Sequence, residues 1–308
     1  MLKLILPLFF IIINVNAIEP ISPIPIESIV DIKKAILGKK LFFDTLLSKD
    51  NSTACLSCHD VFNGGADSKI VSVGFENKKG NIQSPTVLNA KYNFRQFWNG
   101  RAANLLEQAD GPMNNPLEHN MNPKAIEERL NNSDKYKKEF NEIYGVSRIK
   151  YELVLDAIVE FENSLTTPNS KFDKFLRQEV QLSPNEQEGY TIFKQLGCIT
   201  CHNGVNIGAN SFQKMGTFLE YDSNNTYPDR FAITKKENHK NVFKVPTLRN
   251  ITLTAPYFHD GSAATLKEAI EIMAKYSLGR NFTNEEIEKI ISFLETLKGE
   301  APKILETF

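Results

Sequence analysis

The stretch Ala54-Cys55-Leu56-Ser57-Cys58-His59 sets two cysteines three apart and puts a histidine directly after the second. This is the attachment pattern of a c-type haem: each thiol adds to a vinyl group of the porphyrin, and the imidazole ligates the iron from below. The pattern recurs as Cys198-Ile199-Thr200-Cys201-His202, beginning 143 residues after the first. A zinc site built from two Cys-x-x-Cys halves brings them within roughly 15–20 intervening residues, far less than this gap. A thioredoxin-like redox pair has no use for the trailing histidine. The reading is therefore two haem c groups, with cofactor-binding residues Cys55, Cys58, His59, Cys198, Cys201 and His202. All four cysteines are consumed, and none is left for a disulfide.

The 308 residues suffice for two domains of ordinary size, and 41% apolar content is that of a globular protein. With 36 basic and 37 acidic residues the net charge is −1, which gives no reason to expect nucleic acid or an anionic membrane as partner. The N-terminus reads as a signal peptide over residues 1–17. Lys3 precedes an apolar run from Leu4 to Ile13, and Val15-Asn16-Ala17 offers a small-residue cleavage site. That run falls well short of the roughly 20 residues a bilayer span needs. The mature chain is expected to start near Ile18 and to work in the periplasm, where c-type haem is attached.

Three prolines between residues 18 and 27 demand an extended lead-in. Ser28 and Asp31 mark a helix start, with an apolar stripe of Ile29, Ile32, Ile36 and Leu37 ending near Gly38. Residues 63–80 are glycine-rich and read as surface loop, and residues 84–118 are dense in aromatics and amides without clean periodicity. Asn122-Pro123 opens a helix to about Leu130, and Val154, Ile158, Phe161 and Leu165 give one from about Lys150 that stops before Pro168. Ser183 with Glu186, Thr265 with Glu268, and Thr283 with Glu286 are capping boxes, the first leading into the second haem motif. The class is mainly α, with a haem domain over 18–176 and another over 177–308.

Of five histidines, His119, His239 and His259 remain once His59 and His202 are proximal ligands. Met273 lies on the helix opened by Thr265; from composition alone a methionine there is more often core than ligand.

Several blocks, in order from about residue 35 to 280, carry a resemblance: Leu41-Phe42-Phe43-Asp44, Phe97-Trp98-Asn99-Gly100-Arg101, Leu106-Glu107-Gln108-Ala109 and Asn115-Pro116-Leu117-Glu118, then the runs from Phe243 to Asn250 and from Thr254 to Gly261. In register with both haem motifs, they resemble the bacterial dihaem cytochrome c peroxidase family. The resemblance implies two cytochrome c-like domains, with peroxide reacting at the N-terminal haem and electrons entering at the C-terminal one. Met273 matches the sixth ligand of the entry haem, and Trp98 the tryptophan between the haems. Gln108 and Glu118 match the polar pair over the peroxide site. Thr254 and Pro256 match backbone ligands of an interdomain calcium, with Gln83 standing where the family usually has an asparagine. The implied substrate is hydrogen peroxide, the electron donor a small cytochrome c or cupredoxin, and the assembly a homodimer. A His/Met pair raises an iron's potential, as an electron-accepting haem requires, and a carboxylate over an open haem can move a peroxide proton.

Two positions depart from the family. Sixteen residues after His59, where many members hold a histidine that blocks the iron until the other haem is reduced, stands Phe75. Phenylalanine cannot ligate iron, so the first haem is expected open with both irons ferric. His119 replaces a usual methionine, and three readings stand for it: substitute ligand, extra acid or base, and surface residue. Two rival functions are a dihaem oxidase of protein side chains, like the enzyme that matures methylamine dehydrogenase, and a non-enzymatic dihaem electron carrier. In the first a tyrosine replaces the methionine ligand; Met273 opposes it, and Tyr276, one turn on, keeps it in view.

Overall fold

The computed structural model describes residues 19–221 and 228–307. The signal peptide expected over residues 1–17 lies outside the described residues. The fold is mainly helical. It runs α1 (Ile32–Phe43), α2 (Leu105–Asn114), α3 (Pro123–Asn131), α4 (Asp134–Tyr144), α5 (Tyr151–Ser164), α6 (Lys171–Leu176) and α7 (Pro184–Gln195), then β1 (Phe212–Lys214), α8 (Arg230–Thr234), β2 (Val242–Lys244), α9 (Leu266–Ile272) and α10 (Asn284–Glu295). The two short strands pair antiparallel, Gln213 opposite Phe243.

Two apolar cores organise the chain. In the first, α1 crosses α5 and buries Leu37, Leu41 and Phe42 against Ala157, Ile158 and Phe161. In the second, α7 crosses α10, and Tyr190 and Phe193 meet Ile290 and Phe293. Each crossing is made at a glycine. A β-carbon on Gly38 would lie 1.8 Å from the carbonyl oxygen of Ala157, and one on Gly189 would lie 1.9 Å from that of Lys289. Gly38 therefore sits inside α1 as the crossing point, and the helix continues to Phe43, five residues past the expected end. Its start is set by Asp31, whose carboxylate accepts from the amides of Lys33 and Lys34.

Other departures from the sequence reading have equally local causes. The stretch 84–118 contains α2, with Pro112 inside it, capped by Asn104, whose side chain accepts from the Glu107 amide. Helix α4 has an amphipathic pattern that the reading passed over: Tyr136 and Phe140 are buried, and Ser133 caps it. Helix α6 lies between the two haem motifs, and its Phe172 belongs to the second core. All three capping boxes form as expected. After α9 the backbone widens into a π-turn over Met273–Ser277.

The chain ends are exchanged between the cores. The extended lead-in lies on the second: Ile21 is buried there, and the Gly204 amide donates to the Pro20 carbonyl at 2.8 Å. The C-terminal turn lies on the first, where Ile304 is buried and Lys39 Nζ donates to the carbonyls of Ile304, Leu305 and Thr307. A polar knot joins them in the middle: the side-chain amides of Asn89 and Asn250 both donate to Thr167 Oγ1, at 2.7 and 2.9 Å.

Candidate haem sites

Each Cys-x-x-Cys-His motif folds into a single 3-10 turn, Cys55–Ser57 and Cys198–Thr200. In both, the amides of the second cysteine and of the histidine return to the carbonyl of the first cysteine, at 3.0–3.2 Å. The turn gathers both thiols and the imidazole, as double attachment of one porphyrin requires.

At the first motif Cys55, Cys58 and His59 line a cavity with Phe42, Met113 and Ile158. Its further polar lining is Thr53, Gln108, Glu118, His119 and Glu162. The thiols are reduced and burial raises their pKa values, Cys58 to about 11 and Cys55 beyond it. Thiols so disposed are not the activated thiolates of a disulfide-exchange site. The two motifs also lie in different cores, and no cluster of three or more His, Cys, Asp or Glu fit for a metal occurs among the described residues. His59 Nδ1 donates to the Gly65 carbonyl at 3.3 Å, which leaves Nε2 with its lone pair for iron. At His202 the apolar surroundings push the imidazole pKa down to about 4, so it too is neutral and able to ligate. Residues and protonation states fit haem at both motifs.

Glu118 reaches the first cavity because the chain folds back on the end of α2. The carbonyl of Pro112 accepts the amides of Asn115 and His119, and that of Met113 accepts the amide of Met121. The Asn115 side-chain amide donates to the Glu118 carboxylate. Burial raises the pKa of Glu118, opposed first by that hydrogen bond and then by the charge of Arg101. The Arg101 guanidinium itself stacks on the Phe97 ring at 3.3 Å. Gln108, one α2 turn after its cap, faces the same cavity.

His119 is 4% exposed, so its surface reading falls. Nδ1 donates to the Leu47 carbonyl at 3.1 Å, and Nε2 faces Cys55 Sγ at 4.0 Å. Phe75 is buried too, yet it does not line the cavity: its ring lies under Lys78 Nζ at 4.7 Å, and its amide donates to the Glu118 carbonyl at 2.9 Å.

Trp98 and Met273 share a second cluster with Phe258, Tyr276 and the buried Met215, Tyr221 and Phe243. Trp98 is held from both sides. Its indole donates to the Gln83 carbonyl at 2.8 Å, and its own carbonyl accepts the Lys244 amide of β2 at 2.7 Å. The Ser277 hydroxyl donates to Met273 Sδ at 3.6 Å. Gln83 is buried, its amide on the His259 carbonyl, three residues beyond Pro256, which follows a cis bond.

Glu162 was missed in sequence although a signal existed. It lies four residues after Ile158 on α5, which turns it to the buried face beside the apolar stripe.

The sequence and fold were compared with known proteins. The profile for di-haem cytochrome c peroxidase matches residues 32–181, and that for cytochrome c matches residues 186–298. The chain is 45% identical to cytochrome c551 peroxidase of Nitrosomonas europaea over 92% of its own length and 85% of the relative's. It is 38% identical to cytochrome c551 peroxidase of Pseudomonas aeruginosa over 87% of its length and 79% of that protein's. The fold is similar to that of a MauG-like protein associated with microbial copper homeostasis, with a TM-score of 0.81, 25% identity, and coverage of 91% and 93% of the two chains. Two haem-attachment turns in two cores, with Glu118 and Gln108 lining the cavity at the first, agree with these matches: the chain is an enzyme of the dihaem cytochrome c peroxidase family, built to carry two c-type haems.

Proposed function

We propose that this enzyme reduces hydrogen peroxide to water in the periplasm with two electrons from a small cytochrome c or cupredoxin. When bound, each haem supplies an iron that exchanges single electrons, and an iron with a free position takes up peroxide. His202 and Met273 would hold the haem at which electrons enter, Cys198 and Cys201 anchoring it. Cys55, Cys58 and His59 would hold the haem at which peroxide reacts. Trp98, fixed between Gln83 and Lys244, lies on the route from one to the other.

The observation that carries the proposal is the division of labour between the two clusters. Glu118 and Gln108 line one cavity with His59, and Met273 and Trp98 share the other cluster. The Glu118 carboxylate takes the proton from one peroxide oxygen and returns it to the other, so that the leaving oxygen departs as water. Gln108 donates a hydrogen bond to the charge that develops as the oxygens separate.

With Phe75 unable to ligate, the first haem would be open in the all-ferric enzyme. His119, its Nδ1 proton on the Leu47 carbonyl and its Nε2 facing the Cys55 sulfur, is the competing ligand for that position, and a low-spin resting spectrum of the first haem that His119→Ala converts to high-spin would assign it that role. A calcium between the domains would use the Thr254 and Pro256 carbonyls and the Gln83 amide oxygen, all neutral oxygens of the kind a hard cation takes. The domain division is proposed at residues 18–176 and 177–308, with the lead-in, Phe172 of α6 and the C-terminal turn each packing across it on the other core, and the assembly is proposed as a homodimer.

The deciding experiment mixes protein with both haems ferric, peroxide and a reduced small cytochrome c, and follows cytochrome oxidation. Immediate peroxide-dependent oxidation is expected. Activity only after pre-reduction would remove the open-haem reading, and no activity in either state would leave the carrier or the side-chain oxidase.

A further inference from the structure

Helix α5 carries a carboxyl group to which neither the haem attachment nor the peroxide chemistry gives work. Glu162 is 4% exposed and lines the first cavity together with Cys55 and His59. Its Oε2 is buried without a hydrogen-bond partner. An unpaired carboxylate in such a place is costly, so the group keeps its proton well above the usual carboxylate range and becomes a carboxylate, able to accept one, only on the alkaline side.

We propose that Glu162 is the redox-linked proton acceptor of the first haem pocket, gaining a proton as that haem gains an electron and releasing it when the electron leaves. The inference rests on the haem assignment rather than on peroxide turnover. The balance is simple. One electron, supplied by the donor protein, reaches the iron; one proton from solvent forms an O–H bond on the Glu162 carboxylate; oxidation reverses both. An added electron makes the cavity more negative, and inside a low-dielectric pocket that change is felt by a nearby ionisable group far more than in water.

The surroundings leave Glu162 free to respond. From the haem turn it is faced by Cys55, Cys58 and His59, of which the cysteines become uncharged thioethers on attachment. From the loop after α2 it is faced by Glu118, held by Asn115, and by His119, neutral on Leu47. Among the charged groups on elements packed against α5, Lys39 of α1 donates to the C-terminal carbonyls and Lys40 to Glu139. Asp110 of α2 accepts from Tyr151, Glu127 of α3 from the Tyr151 amide, and Lys91 donates to Ser28 and the Asn163 carbonyl. In the C-terminal turn, Lys303 and Glu306 sit at either end. Burial alone pushes the Glu162 carboxyl up to about 8, which brings its charge change into an accessible range. Reduction would push it higher still.

The test is a spectroelectrochemical titration of the first haem from pH 6 to 10 in the haem-loaded protein and in Glu162→Gln and Glu162→Asp. The wild-type midpoint potential is expected to fall on the alkaline side, by up to about 59 mV for each tenfold change in proton concentration. Glu162→Gln is expected to be flat over that window and Glu162→Asp to keep a displaced slope. An unchanged slope in Glu162→Gln, or a flat wild type, overturns the proposal. If the glutamine variant fails to load haem, the wild type decides by its reduced-minus-oxidised infrared difference spectrum. A carboxylic-acid carbonyl band that grows on reduction at pH 9 supports the proposal, and its absence overturns it. Neither measurement uses peroxide, so failure here leaves the peroxidase reading standing.

Discussion

The amide of Phe75 donates to the carbonyl of Glu118 at 2.9 Å, so the loop that would carry a gating histidine is tied to the residue proposed to move the peroxide proton. A ligand at position 75 and the acid at 118 would thus be mechanically linked. Phe75→His places an imidazole where the resemblance puts the blocking ligand. The wild type is expected to show a high-spin first haem when fully ferric, and Phe75→His a low-spin one with peroxide turnover only after reduction. Resting absorption spectra and turnover before and after reduction check both. A high-spin Phe75→His variant that turns over without pre-reduction would break the link.

Glu118 must be ionised to accept a proton, and burial raises its pKa while Asn115 and Arg101 hold it down. The rate constant kcat/KM for peroxide is therefore expected to fall as pH drops through that pKa. Removing a group that lowers the pKa moves the acid limb to higher pH: Asn115→Ala more strongly, Arg101→Gln less. Glu118→Gln abolishes the limb and is expected to cost about 10²–10⁴ in kcat/KM, the usual worth of a positioned proton carrier. Stopped-flow pH profiles of the four proteins check this.

Much of this was legible in the sequence because the signals are local. Two haem motifs, three capping boxes and an Asn-Pro helix start are written in adjacent residues, and each formed where its chemistry put it. What stayed hidden depends on distant partners. Gly38 resembles a helix end until Ala157 is seen pressed against it. Helix α2 carries a proline and few apolar residues, so its pattern is weak, and it is held by packing on α5 and by the loop that folds back on it. His119 looks like any solvated histidine until the Leu47 carbonyl claims it, and Glu162 has meaning only through a cavity assembled from α1, α2, α5 and the haem turn.

Met273 sits at the start of a π-turn, with Ser277 donating to its sulfur and Trp98 in the same cluster. A wide turn of this kind commonly marks a functional position in a helix. Met273→His exchanges the thioether for a stronger donor and is expected to lower the second haem's potential by on the order of 100 mV. Oxidation of the donor cytochrome should slow in proportion while peroxide binding to the first haem stays unchanged. Potentiometry of the second haem, beside peroxide-induced spectral changes at the first, tests the split. A displaced potential at the first haem alone would mean that Met273 serves the other site.

Arg249 and Asp173 form an ion pair at 2.9 Å with both side chains fully buried. The pair does more than join α6 to the run between β2 and α9. Asp173 accepts the Ile24 amide at 3.2 Å, and Arg249 donates to the carbonyls of Ser22, at 3.0 Å, and Val205, at 2.6 Å. The proline-rich lead-in is thereby fastened to the second core through one charge pair. Replacing a single partner strands the other charge in an apolar interior, which costs about 3–5 kcal/mol, whereas removing both with apolar residues of similar volume is far milder. Asp173→Asn and Arg249→Met are each expected to destabilise the haem-loaded enzyme by that amount in denaturant unfolding. The double variant Asp173→Leu with Arg249→Met should lose much less. Proteolysis at the lead-in should speed up most in the double variant, which loses both anchors, because Arg249 holds Ser22 and Asp173 holds Ile24. Equal losses in single and double variants would show that the pair contributes through packing rather than charge.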